Sequence, residues 1–237
     1  MSSSHNRNAL SLRMLDGIAD AARAAATDAG CRGLVIDHDG DVFSAGVDLV
    51  ERRALHPGAR NHSEALAELY AELWRFPKPL IARVAGPVRG GGLGLIVCAD
   101  MVVATSAASF AFSEVRIGVP PALVGALTMA KLGSDRMSQW LLTGAVFGPD
   151  EARDCGLVHR VAGGDGCEEL DGWVRAITAA GPSAVMTTKG LTRRFVLGDV
   201  DGLIGEMRQV SADAFESEEA KEGMAAFADK RPPSWST

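Results

Sequence analysis

The sequence predicts an α/β protein with one large core and a helical C-terminal end. Three observations carry that expectation. Residues 79–114 read as strand, glycine turn, short helix, strand and short strand, closing on a glutamate. From Gly166 onward the apolar pattern is helical. A chain of 237 residues, 47% hydrophobic and 23% charged, can bury a single sizeable core. No repeat, linker or composition shift divides it into independent domains.

The elements follow in order. Leu10 to Ala26 is an alanine-rich helix with Leu12, Leu15, Ile18 and Ala22 on one face, ended by Gly30 and Gly33. Leu34–Ile36 is a short buried strand, and Asp37-His38-Asp39-Gly40-Asp41 is a solvated polar turn lacking calcium-loop spacing. Val42 to Val47 leads into a helix from Asp48 to Leu55. Asn61 to Phe76 is a helix burying Leu66, Leu69, Leu73 and Trp74. Leu80–Val84 is a strand broken by Gly86-Pro87. Helices are expected from Pro120-Pro121 to Lys131, Asp135 to Thr143 and Asp150 to Cys155, with a strand over Leu157–Val161. Four more helices cover Glu168–Ala180, Ser183–Leu197, Gly202–Phe215 and Glu218–Asp229. On these, Trp173 and Ile177 mark one apolar face, and Leu203, Met207, Val210 and Phe215 another. Arg231-Pro232-Pro233-Ser234 reads as a loose end.

Composition excludes several functions. The formal net charge of -6, with no Lys/Arg block, argues against a nucleic-acid surface. Cys31, Cys98, Cys155 and Cys167 lie far apart without a C-x-x-C pair, as free thiols of a reducing compartment do. The five histidines (His5, His38, His56, His62, His159) lack metal-ligand spacing. No apolar run reaches membrane-span length and no signal-peptide core opens the chain, so a cytoplasmic location is the expectation.

Chemistry concentrates around Gly90-Gly91-Gly92, which lets the backbone approach a ligand with no Cβ in the way. The short helix Leu93–Cys98 that follows leaves its first N–H groups without partners. A dinucleotide fingerprint fails because Leu95 stands where a third glycine is needed, and no Gly-Lys-Ser/Thr follows for a phosphate loop. On glycine alone, a tight turn in a packed core is the simpler reading. The stretch Val42-Phe43-Ser44-Ala45-Gly46-Val47-Asp48-Leu49 adds a second strand-to-helix turn. Paired with Gly91, the N–H of Val47 makes an oxyanion hole, two backbone donors aimed at one oxygen. Glu114 is the candidate proton carrier beside it; a helix cap or an ion pair with Arg116 is the simpler account of that residue by itself. Arg89 is a candidate partner for a phosphate or carboxylate, a surface salt bridge being its ordinary alternative.

These motifs resemble the enoyl-CoA hydratase/isomerase (crotonase) superfamily: FSAGVDL, AGPVRGGGLGLIVCADMVVA and FAFSEVRIGVPPA, in that order. The likeness runs from Asn6-Arg7-Asn8-Ala9-Leu10 to Lys230-Arg231-Pro232. GGLGL, SEVRIG and the KRPPSW tail are most similar to bacterial short-chain hydratases of the methylglutaconyl-CoA type. The resemblance implies a spiral of β-β-α units, with residues 1–180 as the acyl-CoA-binding core and 181–237 as a helical trimerisation segment. It implies an acyl-CoA thioester substrate, coenzyme A being part of that substrate and no separate cofactor, and a homotrimer or dimer of trimers. Val47 and Gly91 match the two oxyanion donors, and Glu114 the catalytic acid/base. Ala45, Asp48, Leu49 and Gly90 match CoA-arm positions, and the last helix offers Phe227 and Lys230, a core aromatic and a solvated lysine being the equal alternative. Residues 51–62 match a pocket wall, an exposed Arg/His/Pro loop being an equally good reading.

Two departures bear on the chemistry. Hydratases with two catalytic glutamates carry the other where this chain has Gly94. Members also usually open with a β-hairpin, whereas this chain begins almost at Asn8-Ala9-Leu10. Hydration of a short 2-enoyl-CoA, branched or unbranched, is the first expectation. Double-bond isomerisation with one glutamate is the alternative, followed by a non-catalytic acyl-CoA binder.

Overall fold

Short apolar runs give short parallel strands, most of them joined through helices. The computed structural model describes residues 1–56, 58–194 and 200–234. Helix α1 (Leu12–Thr27) precedes β1 (Leu34–Ile36), α2 (Leu49–Ala54) and α3 (His62–Arg75). Next come β2 (Leu80–Val84), β3 (Pro87–Arg89), α4 (Gly92–Cys98), β4 (Met101–Thr105) and β5 (Ser109–Ala111). Then follow α5 (Ala122–Leu132), α6 (Ser134–Thr143), α7 (Pro149–Asp154) and β6 (Arg160–Ala162). The C-terminal helices are α8 (Cys167–Ala179), α9 (Pro182–Arg194), α10 (Val200–Glu216) and α11 (Glu218–Ala228). The last residues of the helix expected to reach Leu197, and the side chain of Leu203, lie outside the described set.

Two parallel sheets result. One has the order β1-β2-β4-β6, and the other pairs β3 with β5. The segment before α2 joins the second sheet through a parallel bridge between Ser44 and Val88. Each turn of the spiral thus gives a strand to one sheet, a strand to the other, and then a helix. A single cross-strand row runs Ser44, Val88, Phe110. Three or four residues beyond it, on the same side, lie Val47, Gly91 and Glu114.

Burial explains why the helices sit where they do. Every residue of α4 is buried, which suits its unbroken apolar sequence. Helix α3 starts with a capping box between Asn61 and Glu64 and buries Leu66, Leu69, Leu73 and Trp74 as its period requires. Phe110, Phe112, Trp140 and Phe147 stack beneath the end of β5. Helix α10 packs on α3 and α5, and α11 on the turn that carries Glu114.

Several local readings shift. Leu10 is not helical: its N–H bonds to Gly46 O at 2.7 Å and its carbonyl accepts from Asp48 N at 3.2 Å, so α1 starts two residues later. The acidic turn is not wholly solvated, since His38 is buried, its Nε2 accepts from Ala85 N at 3.1 Å, and its ring meets Phe43 edge-on. The last strand begins at Arg160 rather than Leu157, because the N–H groups of Leu157 and Val158 are both taken by the Ala152 carbonyl. The tail is tied down: Arg231 pairs with Glu222 at 2.7 Å and Ser234 N donates to the same carboxylate. All four cysteines are free. Among the described residues no helix is long and apolar enough to cross a membrane.

Asn8 staples the Ser44–Val47 segment. It holds φ at 54°, is buried, and its amide donates to Asp39 O and Val42 O while its carbonyl oxygen accepts from Ser3 N. Ser44 Oγ donates in turn to Asn8 O at 3.0 Å. Asn8→Ala removes three bonds and places alanine at a positive φ, so unfolding in urea should show a loss of about 2–4 kcal/mol. A loss below about 0.5 kcal/mol would show that the staple is dispensable.

Candidate active site

The site is built from the ends of three neighbouring parallel segments, where open α/β sheets place ligands. At the first, Val47 follows a turn whose Gly46 N–H is held by Ser44 Oγ at 3.2 Å. At the second, Gly90 N donates to Ala111 O at 3.0 Å, and Leu93 N and Gly94 N close the helical start on Gly90 O and Gly91 O. Gly90 takes φ +48°, and a Cβ there would stand 3.4 Å from the Glu114 carboxyl carbon. The two turns touch, since a Cβ on Gly91 would lie 3.6 Å from Val47 Cγ2. Neither Val47 N–H nor Gly91 N–H donates to a protein acceptor among the described residues. Two adjacent unspent donors can stabilise an oxygen that gains negative charge.

Glu114 lies in a 3₁₀ turn (Ser113–Ile117) that Gly118 ends in the left-handed region. Its Oε2 is buried without a hydrogen-bond partner, and among the described residues the carboxylate makes no ion pair. Arg116 therefore does not neutralise it. Burial pushes its pKa up to about 7, opposed by the hydrogen bond from its own backbone N–H. A carboxyl balanced near neutrality can both take and return a proton.

These groups line one cavity of about 380 Å³. Val47, Gly91 and Glu114 are on its wall, as are Ala45, Leu49, Gly90 and Phe227. Phe227 is 64% exposed and forms a rim, not a core contact. Two further candidates are placed elsewhere. Asp48 caps α2 by accepting from Val50 N and Glu51 N, and it takes a bond from Asn6 Nδ2. Burial pushes its pKa upward, but those bonds outweigh it and hold the carboxyl below its ordinary value. Lys230 sits at φ +55° after α11 with its N–H on Phe227 O, and Arg231 and Pro233 line the cavity in its place. The Arg89 guanidinium bonds Val88 O, Ser109 O and Ser109 Oγ, clamping β3 to β5, and among the described residues it makes no ion pair. Among the described residues no group of three or more His, Cys, Asp or Glu is placed to hold a metal ion.

The structure adds wall residues that pattern reading passed over. Leu66 and Tyr70 come from the buried face of α3, and Ser211 and Phe215 from α10. Arg52 stacks on the Phe215 ring at 3.7 Å and links α2 to α10. Tyr70 matters most. Its ring occupies the space above Gly94, where any Cβ would overlap Tyr70 Cζ and Oη, so position 94 has no room for a carboxylate. Tyr70 is four residues from Leu66, so the helical period marked it as buried. Its meeting with Gly94 is a contact between distant segments that no local pattern shows.

Two backbone N–H groups without acceptors and one buried carboxyl on the wall of the same mostly apolar cavity are the parts that moving a proton beside a polarised carbonyl requires. Comparison with known proteins gives the family. A family model described as enoyl-CoA hydratase/isomerase matches residues 1–237. The chain is 32% identical over 231 residues to a crotonyl-CoA hydratase of Syntrophomonas wolfei, covering 94% of this chain and 88% of the relative. It is similar to the crystal structure of an enoyl-CoA hydratase from Mycobacterium avium, with TM-score 0.87 and 33% identity over 99% of this chain and 91% of that one. An enoyl-CoA hydratase/isomerase structure from Pseudoalteromonas atlantica gives TM-score 0.87 at 26% identity, covering 97% and 92%. The chain belongs to the enoyl-CoA hydratase/isomerase family of enzymes and has the crotonase fold.

The buried carboxyl has a thermodynamic signature. With a folded pKa near 7 against the ordinary 4.5, Glu114 holds its proton more tightly in the folded state. Between those values folding is therefore weakened as pH rises, and the loss is complete above about 7. Glu114→Gln should be more stable than wild type at pH 8, by at most about 3 kcal/mol, with no gain below pH 4.5. Equal stability of the two proteins at pH 8 in thermal unfolding would contradict the placement of Glu114.

Proposed function

We propose that the protein adds water across the 2,3 double bond of a short 2-enoyl-CoA. The carrying observation is that the buried Glu114 carboxyl, its Oε2 without a partner, shares one mostly apolar cavity with Val47 and Gly91, whose N–H groups have no acceptor among the described residues. The thioester oxygen accepts from Val47 N–H and Gly91 N–H, which draws electrons toward it and leaves C3 electrophilic. Water attacks C3 and gives a proton to Glu114, and Glu114 returns that proton to C2. The product is the 3-hydroxyacyl thioester, and the carboxylate is regenerated. Leu66, Leu123 and Val124 are among the apolar residues lining a cavity of about 380 Å³, a size that favours a short, compact acyl group over a long chain. The coenzyme A arm leaves past Ala45, Leu49 and Phe227. The proposed assembly is a homotrimer or a dimer of trimers.

A second reading has its own observation. Tyr70 fills the place of a second carboxylate, and one carboxyl suffices to move a proton between C4 and C2 of a 3-enoyl-CoA. Turnover of 2-enoyl- and 3-enoyl-CoA panels separates the two. Hydration shows as loss of the conjugated absorbance of 2-enoyl substrates, and isomerisation as its gain from 3-enoyl substrates only. In either case kcat/KM should rise with pH and level off above about 7, as the carboxylate form accumulates. Glu114→Gln should remove turnover; full activity in that variant would exclude it as the proton carrier.

The hole is tested separately. Gly91 has φ −53°, which proline also adopts, so Gly91→Pro deletes the N–H with little change of backbone angle. A fall in kcat of about 10²–10³ is expected from loss of one such donor. Wild-type kcat in a folded Gly91→Pro protein would remove Gly91 from the mechanism.

A further inference from the structure

Tyr70 is the chain's one tyrosine, is completely buried, and yet lies on the cavity wall. Its hydroxyl donates to the Gly91 carbonyl, the same carbonyl that accepts from Gly94 N at 3.1 Å. A Cβ on Gly91 would stand 3.3 Å from the Tyr70 hydroxyl oxygen, so the phenol reaches the turn itself. The ring occupies the space over Gly94 that a Cβ there would need.

We propose that Tyr70 is a positioning residue for the second oxyanion donor: ring against Gly94 and hydroxyl on Gly91 C=O, it locks the Gly90–Gly91 turn so that Gly91 N–H faces the thioester oxygen. Residue 91 has its carbonyl on one side of its Cα and its catalytic N–H on the other. Fixing the carbonyl therefore limits rotation about the bonds that aim the N–H. Gly90, at positive φ between Arg89 and Gly91, supplies the freedom that such a lock has to remove. Burial raises the phenol pKa well above its ordinary value, so the hydroxyl keeps its proton as a donor throughout the working range. The hydroxyl has no surface open to solvent, which makes Tyr70 a support for the hole and not a group that holds the attacking water.

The proposal rests on the thioester reading of the cavity, and one experiment separates the two. 2,4-Hexadienoyl-CoA is a conjugated thioester whose absorbance moves to longer wavelength when its carbonyl is polarised. Wild type should shift it on binding. Tyr70→Phe keeps the ring over Gly94 and lacks only the hydroxyl, so it should lose at least half of that shift. Its kcat on the best 2-enoyl substrate should fall about ten- to hundredfold, with KM within about threefold. No shift with wild type would overturn the thioester reading. A full shift and a kcat within twofold in Tyr70→Phe would overturn the role of Tyr70 alone. The double variant Tyr70→Leu with Gly94→Ala refills the space without a hydroxyl, and its kcat should stay low in a folded protein. Wild-type kcat there would show that packing, not the hydrogen bond, is what Tyr70 contributes.

Discussion

The parallel register that aligns Ser44, Val88 and Phe110 is the constraint on which the rest of the molecule depends. Parallel strands cannot be joined by tight hairpins, so each must be reached by a crossover. That requirement produces the spiral. Because the strands point the same way, their chain exits lie at one end of the sheet. Val47, Gly91 and Glu114 are those exits. A shift of one residue in either pairing would turn a donor or the carboxyl away from the cavity. Several contacts protect the register without touching the cavity: the Asn8 staple, the bridge of Leu10 to Val47, and the Arg89 clamp between β3 and β5.

The electrostatics follow from what the cavity excludes. Burial removes water from around Glu114, and among the described residues no cation pairs with it, so the carboxyl titrates near neutrality. A second carboxylate at position 94 would face it across the same low-dielectric space, and the pair could not both ionise freely. Tyr70 fills that volume with a neutral ring. The site has thus traded a second titrating group for a rigid wall. Among the described residues that line the cavity, that arrangement leaves Glu114 as the one carboxyl.

Much of this was legible in the sequence, and the limits have a physical pattern. Helix α3, the glycine turn and the three strand-to-turn exits carry their signals within ten or so residues, through period, caps and backbone freedom. Glu114 and the two donors could be proposed because each sits at such an exit. Tyr70 over Gly94, Arg231 on Glu222 and the burial of His38 are contacts between segments far apart in the chain. Local propensity holds no information about them. Lys230 and Arg231 show the same limit at closer range: one residue of phase at the end of α11 decides which of two cations meets the cavity.

Helix α4 shows how a very short helix can carry a demanding role. Seven residues cannot stabilise themselves, and all of them are buried, so both ends need partners from elsewhere. At the start, Tyr70 takes the Gly91 carbonyl. At the end, Lys131 donates to the carbonyls of Val97 and Ala99 at 2.8 and 2.6 Å, and Arg193 to that of Cys98 at 2.6 Å. Asp100, just beyond, pairs with Lys189 and Arg193 at 2.7 Å and compensates their charge. Cations are favoured at a helix C-terminus, and here they also satisfy carbonyls that water cannot reach. Two of the three come from α9, in the C-terminal helical region. The helix that presents the second donor is therefore fixed at one end by a phenol from α3 and at the other by a part of the chain a hundred residues away in sequence.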